Sequence, residues 1–287
     1  MSRFLAACVQ LRSGIDPEQN QLVVGDLIAD AAGQDAKFVQ TPEMTGFVQK
    51  RRAGLMETVR KQDDDPIVAA ASGWAKQHEI WLHIGSTAIL RDDGKVANRA
   101  FVFAPDGALI STYDKIHMFD VDLDNGESWR ESAIYESGTR SVLTRAAGAT
   151  IGLGICYDVR FPALANTYAQ NGAEVLTFPA CFTRQTGRAH WHTLMQARAI
   201  ENGAYVISAA QGGDHEDGRE TFGHSIIVDP WGEVIADSCN EEPGVVVAEI
   251  DLDAVKAARS KVPNLKNERA FTLQDDTAPD GTLKKTA

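Results

Sequence analysis

Short apolar, β-branched runs alternate along this chain with longer segments in which apolar positions recur every three or four residues, the pattern of layered α/β structure. Residues 4–10 read as a buried strand. Pro17 follows Asp16, a capping residue, and Leu22, Leu27, Ile28 and Ala31 keep helical spacing until Gly33. A strand is predicted over 37–41, an Ala-rich helix over 67–77, and a strand over 80–85. A hairpin over 99–113 turns at Pro105, Asp106 and Gly107. The second half repeats the order: strand 150–155, helix 163–171, strand 174–178, helix 190–201, strand 204–210, and a hairpin over 225–236 turning at Pro230, Trp231 and Gly232.

The halves correspond best where FVQTPEM, carrying Glu43, lies over VLTFPAC, carrying Ala180, and where APDG lies over DPWG. A duplicated β-α-β-α-β-hairpin unit with helices on one face of each sheet predicts an α/β fold, a four-layer α-β-β-α sandwich. It forms one domain over residues 1–262. Beyond Val262 the periodicity is lost, and residues 263–287 are expected to be a flexible terminus or an arm lying on a partner subunit.

Composition narrows the function. The 287 residues carry 28 Lys plus Arg against 40 Asp plus Glu, a net charge of −12, with 44% hydrophobic residues. That balance excludes disorder of the whole chain, and the acidic excess without a basic block argues against nucleic acid and anionic membrane as partners. Apolar stretches such as residues 204–210 fall far short of the roughly 20 residues of a membrane-spanning helix. The opening MSRFLAACVQ is too short in its apolar part for a signal peptide, so a cytoplasmic protein is expected. Cys8, Cys156, Cys181 and Cys239 show neither CxxC spacing nor the density of a disulfide scaffold.

Three residues concentrate the candidate chemistry. Cys156 closes the strand TIGLGICYD, whose Gly152 and Gly154 permit close approach of neighbouring backbone; a thiol at a strand's carboxyl end beside a helix start is placed for nucleophilic work. Taken alone, a buried structural cysteine is the commoner fate. Glu43 follows a buried strand in a half whose copy carries Ala, and desolvation there is expected to raise its pKa toward that of a general base. A capping or ion-paired glutamate is the plain alternative. Lys115, between Tyr113 and Phe119, either aims charge at a developing oxyanion or snorkels to the surface. Together they supply a nucleophile, a base and an electrophilic stabiliser.

At these residues the sequence resembles the nitrilase superfamily of carbon-nitrogen hydrolases. TPEMTGF, YDKIHMFD and GLGICYDVRFP match its three motifs in order, and the likeness to the Nit branch covers about residues 3 to 262. The resemblance implies Glu43 as general base, Lys115 with the Tyr157 N–H as oxyanion stabiliser, Cys156 as nucleophile, and Glu131 as the supporting second glutamate, with Glu127 close by in sequence. It implies hydrolysis of the terminal carboxamide of a small carboxylated substrate through a thioester, without metal or organic cofactor, by a homodimer or higher homo-oligomer. AAQGGDHEDGRETFGHS and VDPWG look most like amidases of deaminated glutathione, with omega-amidases of 2-oxoglutaramate as neighbours; other amidases or carbamoylases of the family also fit. Tyr157, Arg160, Phe182, Thr183 and Arg184 are the candidate substrate contacts, and Arg198 is a further candidate for a substrate carboxylate. Relatives usually read AHWE where this chain reads AHWH, which places His192 at a glutamate position.

Rival readings use other residues. A papain-like hydrolase pairs Cys156 with His190, His192 or His224; a metal enzyme uses His190 and His192; a calcium loop uses Asp120, Asp122, Asp124 and Glu131, although Asn125 stands where that loop needs Gly. None gives a role to Glu43 and Lys115 together. A scaffold that has lost catalysis has no reason to keep all three residue types.

Overall fold

A computed structural model of the chain describes residues 2–123, 126, 128–274, 277 and 283–285. The first half contains β1 (Arg3–Gln10), α1 (Pro17–Gly33), β2 (Phe38–Gln40), α2 (Arg52–Thr58), α3 (Pro66–His78), β3 (Trp81–Leu90), β4 (Val96–Phe103) and β5 (Leu109–Asp114). A small hairpin of β6 (Asp120–Asp122) and β7 (Ser128–Arg130) follows. The second half contains β8 (Val142–Ala146), β9 (Ala149–Leu153), α4 (Pro162–Gln170), β10 (Val175–Thr177), α5 (Arg184–Asn202) and β11 (Tyr205–Ser208). It continues through the hairpin β12 (Gly212–Asp214) and β13 (Glu220–Phe222) to β14 (Ile226–Val228), β15 (Val234–Asp237), β16 (Gly244–Asp251), α6 (Leu252–Lys261) and α7 (Asn264–Asn267).

The expected duplication is present in the strand pairing. One six-stranded sheet runs β16-β1-β2-β3-β4-β5 and the other β8-β9-β10-β11-β14-β15. In each, three parallel strands are followed by an antiparallel hairpin, and a sixth strand lies antiparallel along the far edge. Successive strand residues point to opposite faces, so one strand feeds two cores. Ala6 and Cys8 of β1 join the core shared with the second sheet, while Ala7 and Val9 pack with Val24 and Ile28 of α1 and Ala71 and Ala75 of α3. The helices α4 and α5 cover the second sheet through residues such as Ala165, Tyr168, Met195 and Ala199, which completes the four layers.

Helix starts follow local chemistry. Asp16 and Asp65 cap α1 and α3 by accepting backbone N–H groups ahead of Pro17 and Pro66. Helix α5 begins at Arg184, six residues before its expected start, with Thr183 accepting from the Thr186 N–H. Gly187 lies inside it because the helix passes against Phe222, whose Cβ would stand 2.3 Å from an added Cβ. Strands β8 and β16 and helix α6 extend the predicted set; β8 is an edge strand with only two buried residues and offers no long apolar run. The first part of the tail rests on its own chain, where Gln170 Nε2 donates to the Leu265 carbonyl and to Glu268 at 2.9 and 2.6 Å.

The sheets meet near the ends of β2 and β10, where the equivalent turns carrying Pro42 and Pro179 flank Gly85. A Cβ on Gly85 would lie 2.1 Å from the Thr41 carbonyl oxygen and 2.5 Å from Pro179 Cβ. This seam forms the floor of the candidate site.

Candidate active site

Two non-glycine residues at the seam adopt left-handed backbone, Met44 at φ 57° and Cys156 at φ 49°. Such conformations cost energy and persist where the surroundings enforce them. The Met44 N–H donates to Ser86 Oγ at 3.0 Å, and the Cys156 N–H to the Pro179 carbonyl at 2.9 Å. Cys156 therefore sits at a bend beyond β9, opening a 3-10 turn over Cys156–Arg160 before α4. The small residues expected to admit backbone in fact admit aromatic rings: Gly152 faces Tyr168 and Gly154 faces Phe178.

Lys115, fully buried after β5, donates from Nζ to Glu43 Oε1 at 2.8 Å and to Glu131 Oε1 and Oε2 at 2.9 and 2.8 Å. Asn98 of β4 donates to both carboxylates from one Nδ2, at 2.9 Å to Glu43 and 3.2 Å to Glu131. The remaining oxygen of Glu43 accepts the Cys181 N–H at 2.9 Å, and Glu131 Oε2 accepts the Phe119 N–H at 2.6 Å. The Cys156 thiol lies beside the Glu43 carboxylate on the wall of one cavity. Thus Glu43, Lys115 and Glu131, distant in sequence, share one hydrogen-bonded cluster, and Cys156 stands beside it on the same cavity wall.

The electrostatics correct one expectation. Burial acts to raise the pKa of Glu43, but the Lys115 charge, hydrogen bonds from Lys115 and Asn98, and the adjacent Cys156 thiol overcome it and hold the group below its ordinary value. Burial and the adjacent Glu43 push the Cys156 thiol well above its ordinary value. Lys115 stays protonated far above the usual lysine range: burial opposes its charge, and Glu131, Glu43 and Cys156 together outweigh burial. The resting cluster is thiol, carboxylate and ammonium.

Sequence reasoning missed Asp158, Asn98 and Arg219. Asp158, fully buried, accepts from Tyr113 Oη at 2.7 Å, His117 Nδ1 at 2.7 Å, and the Ile155 and His117 N–H groups at 2.9 and 3.1 Å. It thereby ties the loop of Lys115 to the turn of Cys156. Its place two residues beyond the cysteine was the available signal; Asn98, mid-strand, gave none.

A cavity of about 320 Å³ opens over the cluster, with Glu43, Lys115, Glu131 and Cys156 on its wall. Of the expected substrate contacts, Tyr157, Arg160 and Phe182 line it; Thr183 and Arg184 do not. Thr183 is consumed in capping α5, and Arg184 is held by Asp214, Glu220 and Glu241 in ion pairs of 2.7, 2.5 and 2.7 Å. Arg198 also lies elsewhere, donating to the Val159 carbonyl and to Glu201. Lys50, Arg130 and Arg219 are unforeseen cations on the cavity wall; Arg219, of the β12–β13 hairpin, is stacked over Trp129 at 4.6 Å, reaches Cys181 Sγ at 3.6 Å and lies 3.8 Å from Asp217. Its Nε has no hydrogen-bond partner among the described residues.

The rivals lose their geometry. None of His190, His192 and His224 lines the cavity with Cys156. Asp120 is bonded to Ser132, Asp122 to Arg130 and Ser128, and Glu131 to Lys115; Asp124, Asn125 and Glu127 lie outside the described residues.

A duplicated α-β-β-α sandwich with a thiol, carboxylate and ammonium gathered at its seam defines a hydrolase class. The carbon-nitrogen hydrolase profile matches residues 5–260, and the chain belongs to that family. It is 37% identical to the deaminated glutathione amidase of Synechocystis sp. over 275 residues, covering 93% of this chain and 98% of that protein. Human omega-amidase NIT2 is 35% identical over 270 residues, covering 94% and 96%. Among solved structures, Saccharomyces cerevisiae Nit3, described as a member of branch 10 of the nitrilase superfamily, superposes with a TM-score of 0.82 at 29% identity, covering 91% of this chain and 94% of that one. The NitFhit protein of C. elegans gives a TM-score of 0.86 at 34% identity, covering 93% of this chain and 65% of that longer one.

Proposed function

We propose that this protein is a thiol-dependent amidase that converts the terminal carboxamide of a small carboxylated substrate to acid and ammonia, with deaminated glutathione as the substrate. The observation carrying this reading is that one buried carboxylate, Glu43, is bonded to the Lys115 ammonium and shares a cavity wall with the Cys156 thiol.

The groups define the steps. Glu43 takes the thiol proton as Cys156 Sγ bonds to the amide carbonyl carbon. The carbonyl π electrons move to oxygen, where Lys115 and the Tyr157 N–H stabilise the charge. The tetrahedral adduct collapses, the C–N bond breaks, and Glu43 returns the proton to departing ammonia. Glu43 then deprotonates a water that attacks the thioester, releasing acid and restoring the thiol. Glu131 and Asn98 hold Lys115 and Glu43 in register, and Glu131, on the cavity wall, also positions substrate. No step calls on a cofactor.

Arg219 and Arg160 supply the positive wall for the substrate's carboxylate, Arg219 being preoriented by Trp129. The omega-amidase reading is the second choice, supported by the human relative and equally served by a carboxylate-binding arginine. Ammonia release from deaminated glutathione and 2-oxoglutaramate, assayed side by side, decides between them: a higher kcat/KM on the first supports the assignment, and a higher value on the second transfers the protein to the omega-amidases.

The domain is taken as residues 1–262, acting as a homodimer or higher homo-oligomer, with the 263–287 tail, beyond the part that Gln170 holds on its own chain through Leu265 and Glu268, as an inter-subunit arm. Light scattering of full-length and tail-deleted protein checks this, and monomers in both samples refute it. No helix among the described residues is long and apolar enough to cross a membrane. Four unpaired cysteines fit a reducing cytoplasm.

A further inference from the structure

Outside the cavity, three metal-binding side chains converge beside the middle of α5. We propose that His192, His224 and Asp237 form a divalent-metal site of the Zn²⁺ or Co²⁺ class. Their donor atoms all lie within 4.8 Å of one another. His192 Nε2 is 2.7 Å from Asp237 Oδ2, and His224 Nδ1 is 3.2 Å from Asp237 Oδ1. Two ligands bound at about 2.1 Å to one tetrahedral ion stand roughly 3 to 3.5 Å apart, so the ion takes the place of the shared ring protons when the His192–Asp237 pair widens slightly and the widest donor pair, within 4.8 Å, closes.

The donors come from rigid elements. His192 projects from α5, His224 lies two residues before β14, and Asp237 ends β15, paired through Ile226 opposite Asp237. The His224 ring is stacked on Phe222 at 4.3 Å and 17°, and its carbonyl accepts Trp191 Nε1–H at 2.8 Å. The Cys239 N–H orients the carboxylate through Oδ1 at 2.7 Å. Such outer partners fix the direction of ligand lone pairs. Side-chain exposures of 38%, 24% and 15% leave solvent to complete the coordination. Two imidazoles and one carboxylate select zinc-like ions over Ca²⁺ or Mg²⁺, which prefer all-oxygen sets. His190, the partner expected for His192 from the HxH spacing, is instead the acceptor of Arg160 Nη2 at 3.2 Å.

An ion here clamps α5 to the β14–β15 hairpin. The test uses full-length protein stripped with EDTA and titrated with Co²⁺, read by the visible ligand-field absorption and by the thermal midpoint. The expected result is saturable binding of one Co²⁺ per chain with a raised midpoint, weakened at least tenfold in His192→Gln and in Asp237→Asn and unchanged in Cys239→Ser. His192 is part-exposed, so its variant is expected to retain the fold, checked by circular dichroism. Absence of saturable binding to the native chain, or binding that survives in either ligand variant, overturns the site and leaves a His–Asp–His hydrogen-bonded bridge. Binding lost in Cys239→Ser but kept in His192→Gln places the ion on thiols and overturns it equally. Amide hydrolysis is untouched by any of these outcomes.

Discussion

The backbone N–H of Cys181 donates to Oε2 of Glu43 at 2.9 Å, joining a residue of the second half to the carboxylate of the first. The two stand one step apart in equivalent turns, since Glu43 matches Ala180 in the internal repeat. The two similar strand ends of the repeat thus differ in what they carry: one holds the buried carboxylate and the other a donor that fixes it. A single copy of the unit holds neither the complete cluster nor the second sheet that buries it.

Glu43→Gln preserves shape and most hydrogen bonds while removing the proton acceptor. Turnover is expected to fall by about 10² to 10⁴, with the fold retained by circular dichroism. Activity within a few-fold of the parent would remove Glu43 from the reaction.

Lys115→Met leaves Glu43 and Glu131 buried side by side without their counter-charge. Breaking such a pair costs about 3 to 5 kcal/mol, measurable by urea unfolding. Adding Glu131→Gln is expected to recover part of the stability and none of the activity. Unchanged stability in Lys115→Met would contradict the buried cluster.

The pH profile follows from the directions of the shifts. Glu43 lies below its ordinary 4.5 in the folded protein, so its contribution to stability is present above that value and lost as pH falls through the lower, folded one. Lys115 lies well above 10.5, so its contribution is full below that value and lost only on rising through the folded one. The competent thiol stays protonated beyond 9.0. Accordingly kcat/KM should form a broad plateau whose acid limb falls below pH 4.5, with no alkaline limb before pH 9. An acid limb near 6 would mean that desolvation, rather than Lys115, governs Glu43.

Arg219→Gln removes a cation from the cavity wall while leaving the cluster in place. KM for a carboxylated amide is expected to rise tenfold or more at nearly constant kcat, with little effect on an uncharged amide of similar size. Equal losses on both substrates would assign Arg219 to packing against Trp129.

Much of this was legible in the chain because strand and helix periods are local. The repeat of strand, helix and hairpin identified both sheets, and the capping pairs Asp16–Pro17 and Asp65–Pro66 reflect chemistry within a few residues. The edge strand β8 escaped because edges bury little, and the start of α5 because Gly187 answers to Phe222, far along the chain. At the site, residue types and order marked Glu43, Lys115 and Cys156, while the sign of the Glu43 shift depended on Lys115 lying 2.8 Å away. Arg184 and Arg219 illustrate the same limit: each is an arginine near polar neighbours in sequence, and only the fold gives three carboxylates to one and the cavity to the other.

The central claim is that Cys156 is the nucleophile of an amide hydrolysis. The most direct measurement is the initial rate of ammonia release from deaminated glutathione by the full-length protein and by Cys156→Ala, which keeps the small buried volume and removes only the sulfur. The account predicts release by the native chain and none above the uncatalysed rate by the variant. Comparable release by Cys156→Ala would contradict it.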